Sequence, residues 1–142
     1  MTLRVIAAVS RQHRETLRAL HTLTFPYDDH EDYESGRWWL VLDGYEPVGF
    51  AGLRQALTEP TALYFSRCGV LASHRGQGIQ KQLLRKRMSY VRTRTNATAC
   101  ISTTYKNTAS ANNLIRAGFR LYDPESPWGS EGTLYWRKEL KP

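Results

Sequence analysis

The sequence predicts a mixed α/β domain: one mostly antiparallel sheet with a parallel strand pair near its centre, and helices covering its faces. Three observations predict it. In the middle of the chain an apolar strand, an amphipathic helix and a second strand follow one another (residues 62–71, 78–94 and 97–105). That order closes by a right-handed crossover and pairs the two strands in parallel. On either side, short strands joined by tight turns imply antiparallel pairing. The 142 residues contain no repeat, low-complexity tract or linker, so they form one domain, large enough for its own core.

Taken in order, residues 3–9 are a short apolar strand. Ser10 is placed to cap a helix running to about Leu23, with Leu17, Leu20 and His21 on one face. Phe25-Pro26 ends it, and a short acidic helix or loop follows to Ser35-Gly36. Residues 37–42 read as a strand, Asp43-Gly44 as a hairpin turn and residues 47–53 as its partner. Gly49 and Gly52 mark close backbone approach within that partner. The next strand, residues 62–71, runs toward a glycine-bearing segment at 75–80. From 78 to 94 the pattern is helical: Ile79, Leu83 and Tyr90 form one apolar row and Leu84, Met88 and Val91 the adjoining one. Arg87 interrupts that stripe, while Lys81, Arg85 and Arg92 fall on the polar side. Residues 97–105 are rich in Thr and Ile and read as a strand. Asn107 caps a helix that stops at Gly118, a residue suited to the left-handed position past a helix end. Residues 119–122 and 133–140 supply two last strands across a loop rich in Pro, Gly and Ser.

The net charge is +7, and its distribution says more than its total. Asp28, Asp29, Glu31, Asp32 and Glu34 crowd a segment without Lys or Arg. Arg75, Lys81, Arg85, Lys86, Arg87, Arg92 and Arg94 crowd another without an acid. The first suits a cationic partner, the second a polyanion such as a phosphorylated cofactor or a nucleic acid. Cys68 and Cys100 lack zinc-like spacing and read as buried free thiols, so no metal site is expected. No run approaches the roughly 20 apolar residues of a membrane span. The first ten residues are too short an apolar run for a secretory signal, which leads to the expectation of a cytoplasmic protein. Monomer and homodimer are equally open.

The segment Arg75-Gly76-Gln77-Gly78-Ile79-Gln80 lies between an apolar strand and an amphipathic helix. A helix start leaves its first N–H groups unpaired and carries partial positive charge. Glycines there let several N–H groups converge on a phosphate, and Arg75 and Lys81 add full charges at either end. The segment has neither the Gly-Lys-Ser/Thr ending of a triphosphatase loop nor the three-glycine spacing of a dinucleotide site.

These residues resemble the GNAT superfamily of acyl-CoA N-acyltransferases. That family's pyrophosphate motif is Arg/Gln-x-x-Gly-x-Gly/Ala, with a Val five residues before the Arg. Val70, Arg75 and Gly78 match it, and Gln80 replaces the final small residue. Asn107, Ser110 and Gly118-Phe119 are similar to the family's Asn-capped helix, and residues 47–52 to its third strand. The resemblance implies acetyl-CoA as co-substrate and a cationic amine as acceptor. It implies that the strand ending at Gly69, Val70 and Leu71 splays from its neighbour and offers main-chain groups to the thioester and pantetheine arm. The backbone of Gln77, Gly78, Ile79, Gln80 and Lys81 would hold the pyrophosphate, with Gly76 shaping the loop and Arg75 supporting it. Asn107 would touch the pantetheine arm, and Lys81 or Arg85 would reach the ribose phosphate.

Direct transfer needs a neutral amine and a proton for the departing thiolate. An alkylamine of pKa ~10 is neutral only about once in a thousand molecules at pH 7. Many members of the family carry a Glu on the strand before the Asn-capped helix and a Tyr on that helix. Here Ser102 and Leu114 stand at those places. Tyr105 and Ser110, with Tyr122 behind them, are the substitute proton donors, Tyr105 first. The base is sought among the five acids of residues 26–34, with His30 as an alternative. One of Trp38 and Trp39 is expected in the core and the other on the acceptor groove, while His74 packs on the cofactor loop. Two rival readings stand beside this one: a nucleic-acid-binding or regulatory module using the basic helix 81–94, and a CoA-binding member without catalysis. Base stacking on that helix has only Tyr90 to use.

Overall fold

The computed structural model describes residues 2–140. Seven strands form one sheet in the order β1-β2-β3-β4-β5-β7-β6, where β1 is Leu3–Ala8, β2 Arg37–Asp43, β3 Glu46–Gln55, β4 Ala62–Val70, β5 Ala99–Thr104, β6 Arg120–Leu121 and β7 Leu134–Glu139. Every neighbouring pair is antiparallel except β4 with β5. Three helices cover it: α1 (Ser10–Thr24), α2 (Ile79–Arg94) and α3 (Thr108–Arg116).

The strands are apolar on both sides because both sheet faces are covered. In β2, Trp38 and Leu40 turn toward α1, where Leu17, Leu20, Tyr33 and Phe50 complete a cluster. Trp39 and Val41 turn the other way, into a larger core with Val48, Phe65, Ile79, Leu83, Met88 and Val91. Both tryptophans are therefore core residues on opposite faces, and neither lines a groove. The alternation of side chains along a strand leaves two successive residues no other choice once helices cover both faces.

Two local expectations are corrected. Ser10 is the first residue of α1, not its cap: the helix starts from Val9, whose N–H donates to His13 Nδ1 at 2.8 Å. The acidic segment holds no helix. Asp32 accepts from Glu34 N at 3.1 Å and from Ser35 Oγ at 2.7 Å, an Asx-type turn that competes with helical pairing. Asn107 does cap α3, its Oδ1 accepting from Ser110 N at 3.0 Å.

The parallel pairing of β4 with β5 runs only from Ala62↔Ala99 to Phe65↔Ser102, although β4 continues to Val70 and β5 to Thr104. Beyond Phe65 the two strands part. The register of β3 against β4 shifts at the same level, between Ala51 and Leu53, so a bulge sits where the splay begins.

Candidate active site

Past Val70 the chain makes one 3-10 turn (Ala72–His74) and enters α2 through residues 75–78. Gly76 and Gly78 both have φ of 79°, in the left-handed region. A Cβ on either would meet nothing within 4 Å, so the backbone angle requires these glycines and the hollow beside them is open. Gly78 is the N-cap of α2, and the first helical bond runs from Gln82 N to its carbonyl at 3.0 Å. The N–H groups of Ile79, Gln80 and Lys81 are thus left at the helix start, with no acid in the first turn to compete for their partial charge. The loop is held from behind: His74 Nε2 meets Asp43 Oδ2 at 2.9 Å, its Nδ1 meets Ser73 Oγ at 2.8 Å, and Arg75 Nε donates to Val70 O at 3.3 Å.

A cavity of about 750 Å³ opens on this loop. Of the residues expected at a cofactor, Gly69, Val70, Arg75, Gly76, Gly78, Ile79, Gln80, Lys81 and Asn107 line it; Leu71 and Gln77 do not. Arg116, from the end of α3, adds a cation that the sequence did not single out. An open, left-handed, cation-flanked hollow fits a pyrophosphate. Gly69 has a different role: a Cβ there would stand 2.6 Å from Thr24 Oγ1 and 2.7 Å from Phe50, so it lets the end of α1 pack on β4.

A second cavity, of about 610 Å³, opens beside the splay. Tyr64, Trp128 and Phe25 supply its aromatic surfaces, Tyr64 and Trp128 meeting edge to face at 6.2 Å. Tyr64 OH bonds Thr103 Oγ1 at 2.6 Å across the splay, and burial pushes its phenol up. Only two of the five acids reach this cavity, Asp28 and Glu31. Asp28 is taken by Arg67, Nη1 to Oδ2 at 2.8 Å. Glu34 pairs with Arg14, Asp32 closes its own turn, and His30 stacks on His21 at 4.2 Å, away from the cavity. Glu31, half-buried and without a hydrogen bond among the described residues, is the acid left for an acceptor.

Tyr105 and Ser110 also line the second cavity. Tyr105 is 48% exposed and makes no side-chain hydrogen bond among the described residues. Ser110 is fixed: its Oγ accepts from Gln80 Nε2 at 2.7 Å, and Gln80 Oε1 accepts from Asn113 Nδ2 at 2.7 Å. Because the Ser110 oxygen is already accepting, its O–H is free to donate. Tyr122 lies elsewhere, edge-on to Tyr135 and beside Arg137. Ser102, at the expected Glu position, donates to Phe65 O at 3.0 Å, and Leu114, at the expected Tyr position, is buried against the core.

Arg87 is the functional residue whose meaning the sequence hid. It is only 4% exposed and has no carboxylate partner among the described residues. Its Nη1 donates to Gly52 O and Ser66 O, both at 3.1 Å, its Nε to Leu83 O at 3.4 Å, and its guanidinium lies 4.9 Å from the Phe65 ring. It thus ties together the two strands at the bulge. Its interruption of the apolar stripe was the available signal. Tyr90 packs edge-on against Trp39 at 5.5 Å and under Arg37 at 4.5 Å, which removes the one aromatic a nucleic acid would use on α2. Both cysteines are free; Cys100 is buried, whereas Cys68 is half-buried and lines both cavities.

The acetyltransferase (GNAT) family model matches residues 6–119. No curated protein matches the chain closely enough to count as a relative. Among solved structures, Naa50 of Arabidopsis thaliana, in complex with the bisubstrate analogue CoA-Ac-MVNAL, superposes with a TM-score of 0.78 at 20% identity, over 99% of this chain and 100% of that one. An acetyltransferase from Bacillus subtilis in complex with CoA gives 0.77 at 18% identity, again over 99% and 100%. An IAA acetyltransferase from Bacillus cereus gives 0.75 at 16%, over 98% and 100%. At these identities the likeness is one of fold, and the family model carries the assignment. The chain belongs to the GNAT acetyltransferase family and is an acyltransferase that draws on acetyl-CoA.

Proposed function

We propose that the protein transfers an acetyl group from acetyl-CoA directly to a primary amine within a ternary complex. One observation carries this: the two cavities share Phe25, Cys68, Gln80, Asn107 and Asn113, so donor and acceptor sites open into each other at the splay of β4 from β5. The Naa50 complex, which holds CoA and a peptide sequence in one analogue on this fold, supports the same arrangement.

In this reading the N–H groups at the start of α2, with Arg75 and Lys81, hold the pyrophosphate. The main chain from Gly69 to Leu71, with Asn107, lies along the pantetheine arm and aims the thioester at the second cavity. Acetyl-CoA supplies an activated acyl carbon. Glu31 attracts the ammonium and takes its proton, directly or through water; the freed nitrogen then forms the C–N bond as the C–S bond breaks. A serine hydroxyl is too weak an acid to surrender its proton to a thiolate of pKa about 8.5. Ser110 therefore steadies the sulfur by a hydrogen bond, while Tyr105, a phenol and so the stronger acid, delivers the proton and regains one as the acylated nitrogen sheds its second. Proximity and alignment supply much of the remaining acceleration.

Calorimetric titration with acetyl-CoA, repeated with Gly78→Asp, tests the reading. The substitution puts a carboxylate into the hollow where a phosphate belongs. Micromolar binding by the wild type, weakened at least about 100-fold in a folded variant, is expected from the reversal of charge at a helix start. Failure of the folded wild type to bind acetyl-CoA would overturn it.

A further inference from the structure

We propose that the acceptor carries a carboxylate as well as its amine, and that Arg54 selects for it; this deepens the direct-transfer reading and rests on it. The charges lining the second cavity are Asp28, Glu31, Arg54, Arg67 and Arg87. Two of the three cations are already satisfied: Arg67 by Asp28, and Arg87 by the bulge carbonyls. Glu31 and Arg54 remain, both half-buried, both on the cavity, and neither in an ion pair or side-chain hydrogen bond among the described residues.

Their placement is fixed by strands and aromatics. Arg54 is in register with Tyr64 across the β3–β4 ladder, and its guanidinium lies 4.5 Å from the Tyr64 ring. Burial above all raises the Tyr64 phenol, and among the charges Arg54 and Arg67 lower it while Glu31 raises it. Trp128 stands edge-on to Tyr64 on the same wall, at 6.2 Å.

A plain alkylamine would answer Glu31 and leave its own positive charge facing Arg54. An amine whose molecule also bears a carboxylate answers both, the ammonium at Glu31 and the carboxylate on the guanidinium fork. The cavity is therefore complementary to a zwitterion.

The test uses free α-amino acids against their matched carboxamides as acceptors, with acetyl-CoA as donor, scored by acetylated product. Binding of the same panel to the CoA-loaded protein gives a second readout that does not need turnover. Wild-type protein is expected to prefer the carboxylate of each pair. Arg54→Gln should raise KM, or Kd, for the carboxylates by about 10- to 100-fold while leaving the carboxamides and acetyl-CoA affinity unchanged, and Arg54→Lys should restore part of the difference. Glu31→Gln should weaken both members of each pair alike. The proposal is overturned if carboxamides are used or bound as well as carboxylates, if Arg54→Gln weakens both equally, or if no panel member binds selectively to protein that has taken up CoA. A folded protein that does not bind acetyl-CoA fails at the earlier reading, and calorimetry reports that separately.

Discussion

Replacing Arg87 by Met should cost stability and activity together. Methionine roughly keeps the length of the buried stem but removes the donors that hold Gly52 O and Ser66 O at 3.1 Å. Two buried carbonyls left without partners cost about 1–3 kcal/mol each. Part of this returns, because the charge is no longer taken out of water; its burial already holds the Arg87 pKa below the ordinary range. The net loss is expected at about 2–4 kcal/mol, or a fall in Tm of roughly 6–16 °C for a domain of this size. Urea and thermal unfolding followed by circular dichroism measure it. Arg87→Lys keeps the charge but reaches fewer carbonyls and should fall between. Because the bulge lies where β4 parts from β5, kcat should drop further than acetyl-CoA affinity in both variants. A Met variant within about 1 kcal/mol of wild type, with the same kcat, would refute the reasoning: desolvation of the guanidinium would then balance its hydrogen bonds.

Three further outcomes are expected. Ser110→Ala should lower kcat by about 10- to 100-fold with little change in KM for acetyl-CoA, the signature of a hydrogen bond to charge that develops only on the departing sulfur. Tyr105→Phe should cost less, since Tyr105 has no hydrogen bond among the described residues to fix it whereas Ser110 has Gln80; steady-state kinetics that reverse this order would make proton delivery, not the Ser110 hydrogen bond, the larger contribution. Burial pushes the Cys100 thiol up from 9.0 to about 11. Below pH 9 the thiol is protonated whether folded or not; above it the unfolded chain loses the proton first, so stability should fall as pH rises from about 9 to about 11, by about 2–3 kcal/mol in all. Cys100→Ala should flatten that part of the pH–stability curve, and an unchanged slope would remove Cys100 as its source.

Much of this was legible in the residues because local signals and tertiary packing agree. The glycine segment before α2 announces a helix start open to phosphate, and Asn107 announces the cap of α3. The run Trp38 to Val41 announces a strand buried on both faces, though assigning one tryptophan to a groove ignored what both-sided burial requires. Ser10 failed as a cap because the helix starts one residue earlier: Val9 O already takes the N–H groups of Gln12 and His13, and His13 Nδ1 accepts the Val9 N–H. The acid for the acceptor was not readable among five candidates. Three are consumed by partners distant or local, Asp28 by Arg67, 39 positions away, Glu34 by Arg14, and Asp32 by its own turn, and Asp29 does not reach the cavity. Only the fold shows which carboxylate is left over. Arg87 was visible as an irregularity but not as a function, since its partners are backbone carbonyls on two other strands.

The departures at Ser102 and Leu114 fit the same logic. Ser102 occupies the last paired position of the β4–β5 ladder and gives its hydroxyl to Phe65 O. A carboxylate there would face that buried carbonyl, acceptor against acceptor, and lose the bond that ends the ladder. Leu114 is packed in the core with Phe119 and Leu84. Its C3-side neighbours satisfy themselves: Phe119 N donates back to Leu114 O at 3.0 Å, so the turn after α3 is built on this residue's backbone while its side chain fills the core. One turn earlier on the same helix, Ser110 is held by Gln80, which stands where the pyrophosphate motif ordinarily ends in a small residue. The enlarged Gln80 and the hydroxyl it orients are thus one feature. A longer side chain at the motif's last position reaches across to α3, to Ser110 and Asn113, and holds the Ser110 hydroxyl on the second cavity. Leu114 and Ser102 thus serve the core and the ladder, while the polar contacts between α2 and α3 come from Gln80, Ser110 and Asn113.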